Sequence, residues 1–221
     1  MLSDHGPLYH ETDLSRFPVE PWNTYSNIVF LLYVIYWGIR LYYAKEKHPF
    51  LVYAVPILGI GLIGGTIYHA TRSHYIWLLL DWGPIALLCI WLSLYYAQKL
   101  HYRTHRILIL LALPIASVLF VHHYMETLPW VQFFLGYPVL AAMILYPMLH
   151  HARLHRWKSA SFIFAAIFVF IVALFFRALD FTGNLDEMTM GTHWLWHLFG
   201  GITVHFLTIY IYLDEYRNKK A

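Results

Sequence analysis

Short charged linkers divide the sequence into seven apolar runs of close to 20 residues, at 26–44, 50–71, 75–97, 106–122, 130–149, 160–180 and 192–213. At a helical rise of 1.5 Å per residue, a run of this length makes a rod of about 30 Å, the thickness of a bilayer's hydrocarbon core. In hydrocarbon the backbone must satisfy its own hydrogen bonds, and a segment with no strand-like alternation does so as a helix. Composition points the same way. The chain is 60% apolar and 12% charged, about half the charge of an ordinary soluble domain. Its 15 basic and 12 acidic residues are too few, and too clustered, to clothe a soluble core of this size. The expected fold is an all-α integral membrane protein in which one seven-helix transmembrane domain spans 1–221. An acidic segment, 1–25, precedes the first helix and a short basic tail, 214–221, follows the last.

Charge orients this bundle. Lys and Arg fall three apiece in 40–47, 99–106, 153–158 and 217–220, which share one side if the helices alternate, whereas the other side holds Arg16, Arg72 and Arg177. The positive-inside rule then places the N-terminus outside and the C-terminus in the cytoplasm. The outer side also carries Asp4, Glu11, Asp13, Glu20, Glu126, Asp180, Asp186 and Glu187. A formal net charge of +3 without a basic patch gives no footing for nucleic acid. Residues 1–20 lack the basic start and apolar stretch of a cleavable signal peptide, so the first hydrophobic helix is expected to target the chain. A single cysteine, Cys89, rules out an internal disulfide and any multi-cysteine metal site. Metal chemistry would have to use His, Asp or Glu.

Ionisable side chains inside a span are costly, and those that persist are functional candidates. Asp81 lies roughly 9 Å into the third run from its outer end, between Leu80 and Trp82; its plain reading is a carboxyl group that tightens helix packing. The last run opens with His193-Trp194-Leu195-Trp196-His197, an i, i+4 pair whose imidazoles share one helix face about 6 Å apart along the axis. His101 with His105, and His151 with His155, repeat that spacing at or near basic linkers and read as interfacial polar residues. His69 ends the second run on the outer side, twelve positions before Asp81. His69, Asp81, His193 and His197 therefore all fall in the outer half of the bundle. Three imidazoles with one open position are the ligand set of a catalytic zinc, and a nearby carboxylate can take a proton from water or orient a ligand. His205 lies roughly 18 Å deeper than His193 and reads as a hydrogen-bonded helix contact.

Three motifs resemble the alkaline ceramidases, part of a superfamily of seven-helix membrane hydrolases that also includes the adiponectin and progestin receptors. They are Glu20-Pro21-Trp22-Asn23-Thr24-Tyr25-Ser26-Asn27 before the first helix, Tyr68-His69 with Leu80-Asp81, and His193 to His197. The first separates the ceramidase branch from the receptors, and the resemblance covers essentially the whole chain. It implies that His69, His193 and His197 ligate zinc and that Asp81 positions or activates water. The substrate it implies is ceramide or another N-acyl lipid drawn from the membrane. Where the family has a serine one turn before its first histidine this chain has Gly65, which implies a changed oxyanion device or a wider cavity; Thr66 is the candidate stand-in. The family's eukaryotic members also carry an N-terminal calcium site. Glu20 matches its glutamate, while Asp4, Glu11 and Asp13 lie in the right stretch without the family's pattern, leaving a calcium site or a solvated acidic tail. Asn23, Thr24, Ser26 and Asn27 read as caps of the helix start, and Arg177 with Asp180 as a pair that holds the linker before His193.

The reading is a zinc-dependent lipid amide hydrolase of the ceramidase kind, its active site facing the periplasm from a bacterial inner membrane. A zinc-containing lipid receptor or sensor without turnover is the alternative, and a haem-binding electron carrier with paired axial histidines is a third class. Oligomeric state is open.

Overall fold

The computed structural model describes residues 6–124, 135–183 and 188–217, and within them all regular structure is helical. A short helix α1 (Pro21–Ser26) leads into α2 (Ile28–Tyr42), followed by α3 (Leu51–Thr71), α4 (Tyr75–Lys99), α5 (Thr104–Tyr124), α6 (Tyr137–Leu154), α7 (Ser161–Thr182) and α8 (His193–Arg217). Each of the seven longer helices falls on one of the apolar runs. The fifth run was expected from residue 130, and its helix is described from Tyr137 onward. Pro56, Pro84, Pro114 and Pro147 lie inside α3, α4, α5 and α6, which apolar spans tolerate because neighbouring helices and local adjustment satisfy the freed carbonyls.

Among the described residues four helices are long and apolar enough to cross a bilayer: Leu51–Thr71, Tyr75–Lys99, Ser161–Phe181 and His193–Arg217. Such helices are the mark of a membrane protein. Many of their large side chains are exposed, among them Ile76, Leu79, Trp82 and Ile85 on α4 and Phe164, Phe168, Ile171 and Phe175 on α7. In water such faces would be a liability; against lipid tails they cost nothing.

The chain forms two compact units, one of residues 1–86 and 164–221 and the other of 87–163. In the first, small residues bring helices together. Gly61, Gly64 and Gly65 of α3 share a face at i, i+3 and i+4 spacing, and a Cβ built on Gly64 would stand 2.5 Å from the carbonyl carbon and Cβ of Leu80. Only glycine permits α4 to run so close. Gly201 does the same for α8 against Val29 of α2, where a Cβ would come within 2.8 Å of a Val29 methyl group. Polar cross-links reinforce the α2–α8 seam: Tyr33 hydroxyl meets Thr208 Oγ1 at 2.6 Å, and Trp37 Nε1 donates to His205 Nδ1 at 3.1 Å. His205 is thus the helix contact its depth suggested.

In the second unit Ser93 Oγ donates to the Met143 carbonyl at 2.8 Å and Tyr102 hydroxyl meets His150 Nδ1 at 2.7 Å. His151 and His155 stack with ring centroids 4.1 Å apart, and His155 Nδ1 reaches the His151 carbonyl at 2.9 Å. His101 and His105 are both exposed.

Candidate metal centre

The first unit gathers the singled-out histidines at the C-terminal end of α3 and the N-terminal end of α8. His69, in the last turn of α3, and His193 and His197, in the first two turns of α8, are all buried, and one ligand nitrogen from each lies within 4.8 Å of the others. Ring centroids are 5.4 Å apart for His69–His193, 5.0 Å for His69–His197 and 4.6 Å for His193–His197. Among the described residues this is the one such group of three or more His, Cys, Asp or Glu.

The imidazoles are held by different devices. His69 Nδ1 lies 2.5 Å from Glu20 Oε2. Burial pushes the Glu20 carboxyl toward the neutral form, but hydrogen bonds from His69 and Thr12, with the Arg72 guanidinium beside it, hold it below the ordinary glutamate range. A carboxylate can only accept, so the His69 proton sits on Nδ1 and Nε2 carries the lone pair. His197 Nδ1 lies 2.8 Å from Ser26 Oγ, whose hydrogen is directed at the Asn23 carbonyl, 2.9 Å away. Ser26 therefore accepts from His197, which again leaves Nε2 with the lone pair. His193 is held by its ring, stacked on Tyr9 at a centroid distance of 4.0 Å. His69 Nε2 and His193 Nδ1 are buried without a hydrogen-bond partner. Buried polar atoms in this state are costly and call for an explanation; a cation between the three rings is one that the donor set fits.

Asp81 completes the cluster. Its Oδ2 lies 4.0 Å from His69 Nε2 and its side chain is 24% exposed, while that of His69 is fully buried. Gly65 explains how the carboxylate comes this near. A Cβ on Gly65 would collide with Asp81 Oδ1 and stand 3.2 Å from its Cγ and 3.4 Å from Asn27 Oδ1. The space beside Gly65, where a wider cavity was one expectation, is occupied by the Asp81 carboxylate. Thr66, the candidate stand-in, donates its hydroxyl back to the Leu62 carbonyl at 2.7 Å, as helical threonines commonly do.

The segment before α1 packs over these helix ends. Its backbone joins α3 through Val19 N to Ala70 O at 2.9 Å and Glu20 N to His69 O at 3.0 Å, satisfying carbonyls that a helix C-terminus leaves open. Arg72 ends α3 in the left-handed region, φ 48°, with its amide on Tyr68 O at 2.8 Å. Asp180 accepts from the amides of Thr192 and His193 at 2.6 and 3.0 Å through Oδ1. It does steady the stretch before His193, by capping α8.

The residues weighed between a calcium site and a solvated acidic tail have protein partners where they are described. Glu11 accepts from the amides of Trp22 and Asn23 at 2.9 and 2.6 Å, Asp13 from the amide and hydroxyl of Ser15 at 2.9 and 2.6 Å, and Glu20 faces His69. Asp4 lies outside the described residues, as do Glu126, Asp186 and Glu187. Nor do the polar residues of the first motif act as side-chain caps: Thr24 donates to Glu20 O at 2.6 Å and Asn27 to Asn23 O at 3.1 Å, bonding backward along α1. Ser26, Tyr9, Arg72 and the Glu20 contact with His69 were missed by sequence reasoning. One signal for Glu20 was present, an acid placed directly before a Pro-initiated helix at the foot of an apolar run, where it needs a cationic or donor partner.

No protein-family model, no curated protein and no solved structure matches this chain.

Proposed function

We propose that this chain is a membrane-embedded zinc hydrolase that cleaves the amide bond of an N-acyl lipid of the ceramide kind, releasing a fatty acid and an amine. The observation that carries the reading is the convergence of three buried imidazoles within 4.8 Å, with the Asp81 carboxylate 4.0 Å from His69 Nε2. Two structural helices seeking only to pack would have little use for three desolvated histidines facing an acid.

His69, His193 and His197 would hold the ion, and a zinc so bound supplies Lewis acidity and brings water into reach of deprotonation near neutral pH. Asp81 holds the attacking water and accepts its proton at the carboxylate. The new C–O bond forms at the acyl carbon, the C–N bond breaks, and Asp81 returns the proton to the leaving nitrogen. Glu20 and Ser26 keep the Nδ1 protons of His69 and His197 away from the reacting side.

Burial and surroundings support a lipid substrate. The three histidines are at most 5% exposed, so Asp81 is the reactive group with access, and it sits on α4 among the exposed apolar side chains of Leu79, Trp82 and Ile85. An acyl chain approaching through hydrocarbon meets such a face favourably. The reading includes seven spans and a site facing the outer side, in a bacterial inner membrane the periplasm.

The test is metal content and hydrolysis of a fluorescent ceramide by detergent-purified protein, wild type beside the His193→Ala/His197→Ala double variant. About one zinc per chain and fatty-acid release, both lost in the double variant, is the expected outcome. Zinc without turnover of any N-acyl lipid would instead support the receptor or sensor alternative, and a folded wild type without zinc would remove both.

A further inference from the structure

The proposed hydrolase reading leaves a buried charge system around Glu20 unused. Glu20 is fully buried and both its oxygens are engaged. Oε1 lies 2.5 Å from Arg72 Nη1 and 2.6 Å from Thr12 Oγ1. Oε2 lies 2.5 Å from His69 Nδ1 and 3.4 Å from Asn23 Nδ2. Arg72 is itself buried. Its Nη1 also donates to the Pro7 carbonyl at 2.9 Å, and its guanidinium lies 4.7 Å from the Tyr68 ring centroid. A guanidinium pinned by a carbonyl, a carboxylate and an aromatic face is a rigid cation.

We infer that Glu20 is a positioning residue for the metal centre and that Arg72 is its built-in counter-ion: the chain Arg72–Glu20–His69 fixes which His69 nitrogen carries the proton and aims Nε2 at His193, His197 and Asp81. The physical case has three steps. A histidine used as a ligand must present a lone pair, so its other nitrogen needs an acceptor. Glu20 is that acceptor, and a buried carboxylate stays ionised only with cationic or donor partners around it. Arg72 supplies the cation from the residue just beyond α3, three positions after the ligand. A permanently charged side chain at this place does the work that a dissolved divalent cation would do at an acidic cluster, so the inference rests on the hydrolase reading for the ion but assigns no dissolved cation to Glu20.

Zinc affinity, measured by competition with a chromogenic chelator on the detergent-purified full chain, tests this directly, with helix content and Tm recorded beside it. Glu20→Gln, which keeps the shape but can turn a donor toward His69, is expected to weaken zinc binding by about 10- to 100-fold. Glu20→Asp should recover part of that loss. Arg72→Met should weaken binding and Arg72→Lys restore some of it. Calcium at millimolar concentration should leave the zinc affinity of the wild type unchanged. A residue that merely stabilised the fold would lower Tm and leave the affinity of the folded protein alone; that result in Glu20→Gln overturns the inference. If Glu20→Gln does not fold, the Arg72→Lys and Thr12→Val variants, which each disturb one bond to Glu20, decide by the same measure. A calcium-induced rise in zinc affinity of the wild type overturns the role of Arg72. Zinc bound by the wild type without hydrolysis would sink the enzymatic reading and leave this inference standing, whereas a wild type that binds no zinc sinks both.

Discussion

Asp81 and Gly65 make one arrangement, and each yields its own prediction. Asp81 stands 4.0 Å from His69 Nε2 because Gly65 has no side chain where the carboxylate lies. Asp81→Asn preserves volume and hydrogen-bonding capacity but cannot accept a proton. On the proposed hydrolase reading it should still bind zinc and lose about 100- to 10,000-fold in turnover, the usual worth of a positioned acid–base group; undiminished hydrolysis would remove Asp81 from the chemistry. Gly65→Ala should be more informative. The added methyl group meets Asp81 rather than a ligand histidine, so the carboxylate must move while the three imidazoles stay. Turnover should fall by about 100-fold, the cost of misplacing a reacting group by roughly 1 Å, with zinc content unaltered. Should Gly65→Ala retain full activity, the close approach of Asp81 to α3 would have no part in catalysis.

At the level of the helices, the site depends on how α3 and α8 end. Asp180 on α7 caps α8 through the amides of Thr192 and His193, fixing the start of the helix whose first two turns carry His193 and His197. Asp180→Ala should cost about 0.5 to 2 kcal/mol of stability, as the loss of a helix cap does, and should weaken zinc binding along with it; an unchanged Tm would show that the amides find other acceptors. This end of the molecule also marks how far the sequence can be read. Among the described residues, length and apolar composition located each of the seven longer helices, four of them long and apolar enough to cross a membrane, and the i, i+4 spacing of His193 and His197 put them on one face. Glu20, Ser26, Arg72 and Tyr9 were harder because their contacts cross between elements: Ser26 to His197 spans 171 residues and Arg72 to Glu20 spans 52. The cap reading of Ser26 rested on local preference. The carbonyl of Asn23 captured its hydrogen instead, turning its oxygen toward His197. Gly65 was visible as a departure from the ceramidase motif the sequence resembles, but whether its space was cavity or carboxylate depended on how near α4 ran, which no property of α3 alone determines.

For the whole chain the decisive quantity is the placement of charge along the sequence. Twelve of the 15 basic residues fall in four short stretches, 40–47, 99–106, 153–158 and 217–220, and on the proposed topology the free energy of moving Lys and Arg across a membrane against the inside-negative potential would keep those stretches in the cytoplasm. Seven crossings then follow only if α2, α5 and α6 also span, although α2 has 15 residues and lies below the usual length for a perpendicular crossing; α1, separated from α2 by Asn27 alone, precedes it at its N-terminal end. The arrangement is testable with single cysteines in a Cys89→Ala background. Ser15 and Arg103 are both exposed and are separated by three proposed crossings. A membrane-impermeant maleimide applied to intact cells should label Ser15→Cys and leave Arg103→Cys untouched until the membrane is permeabilised. Labelling of both from outside would mean that one of the first three spans does not cross, and the reverse pattern would put the His69–Asp81 cluster on the cytoplasmic side. The second outcome would leave the chemistry possible but change its setting: the N-terminal segment that carries Tyr9 and Glu20 would lie in the cytoplasm, and product amine would be released there instead of outside.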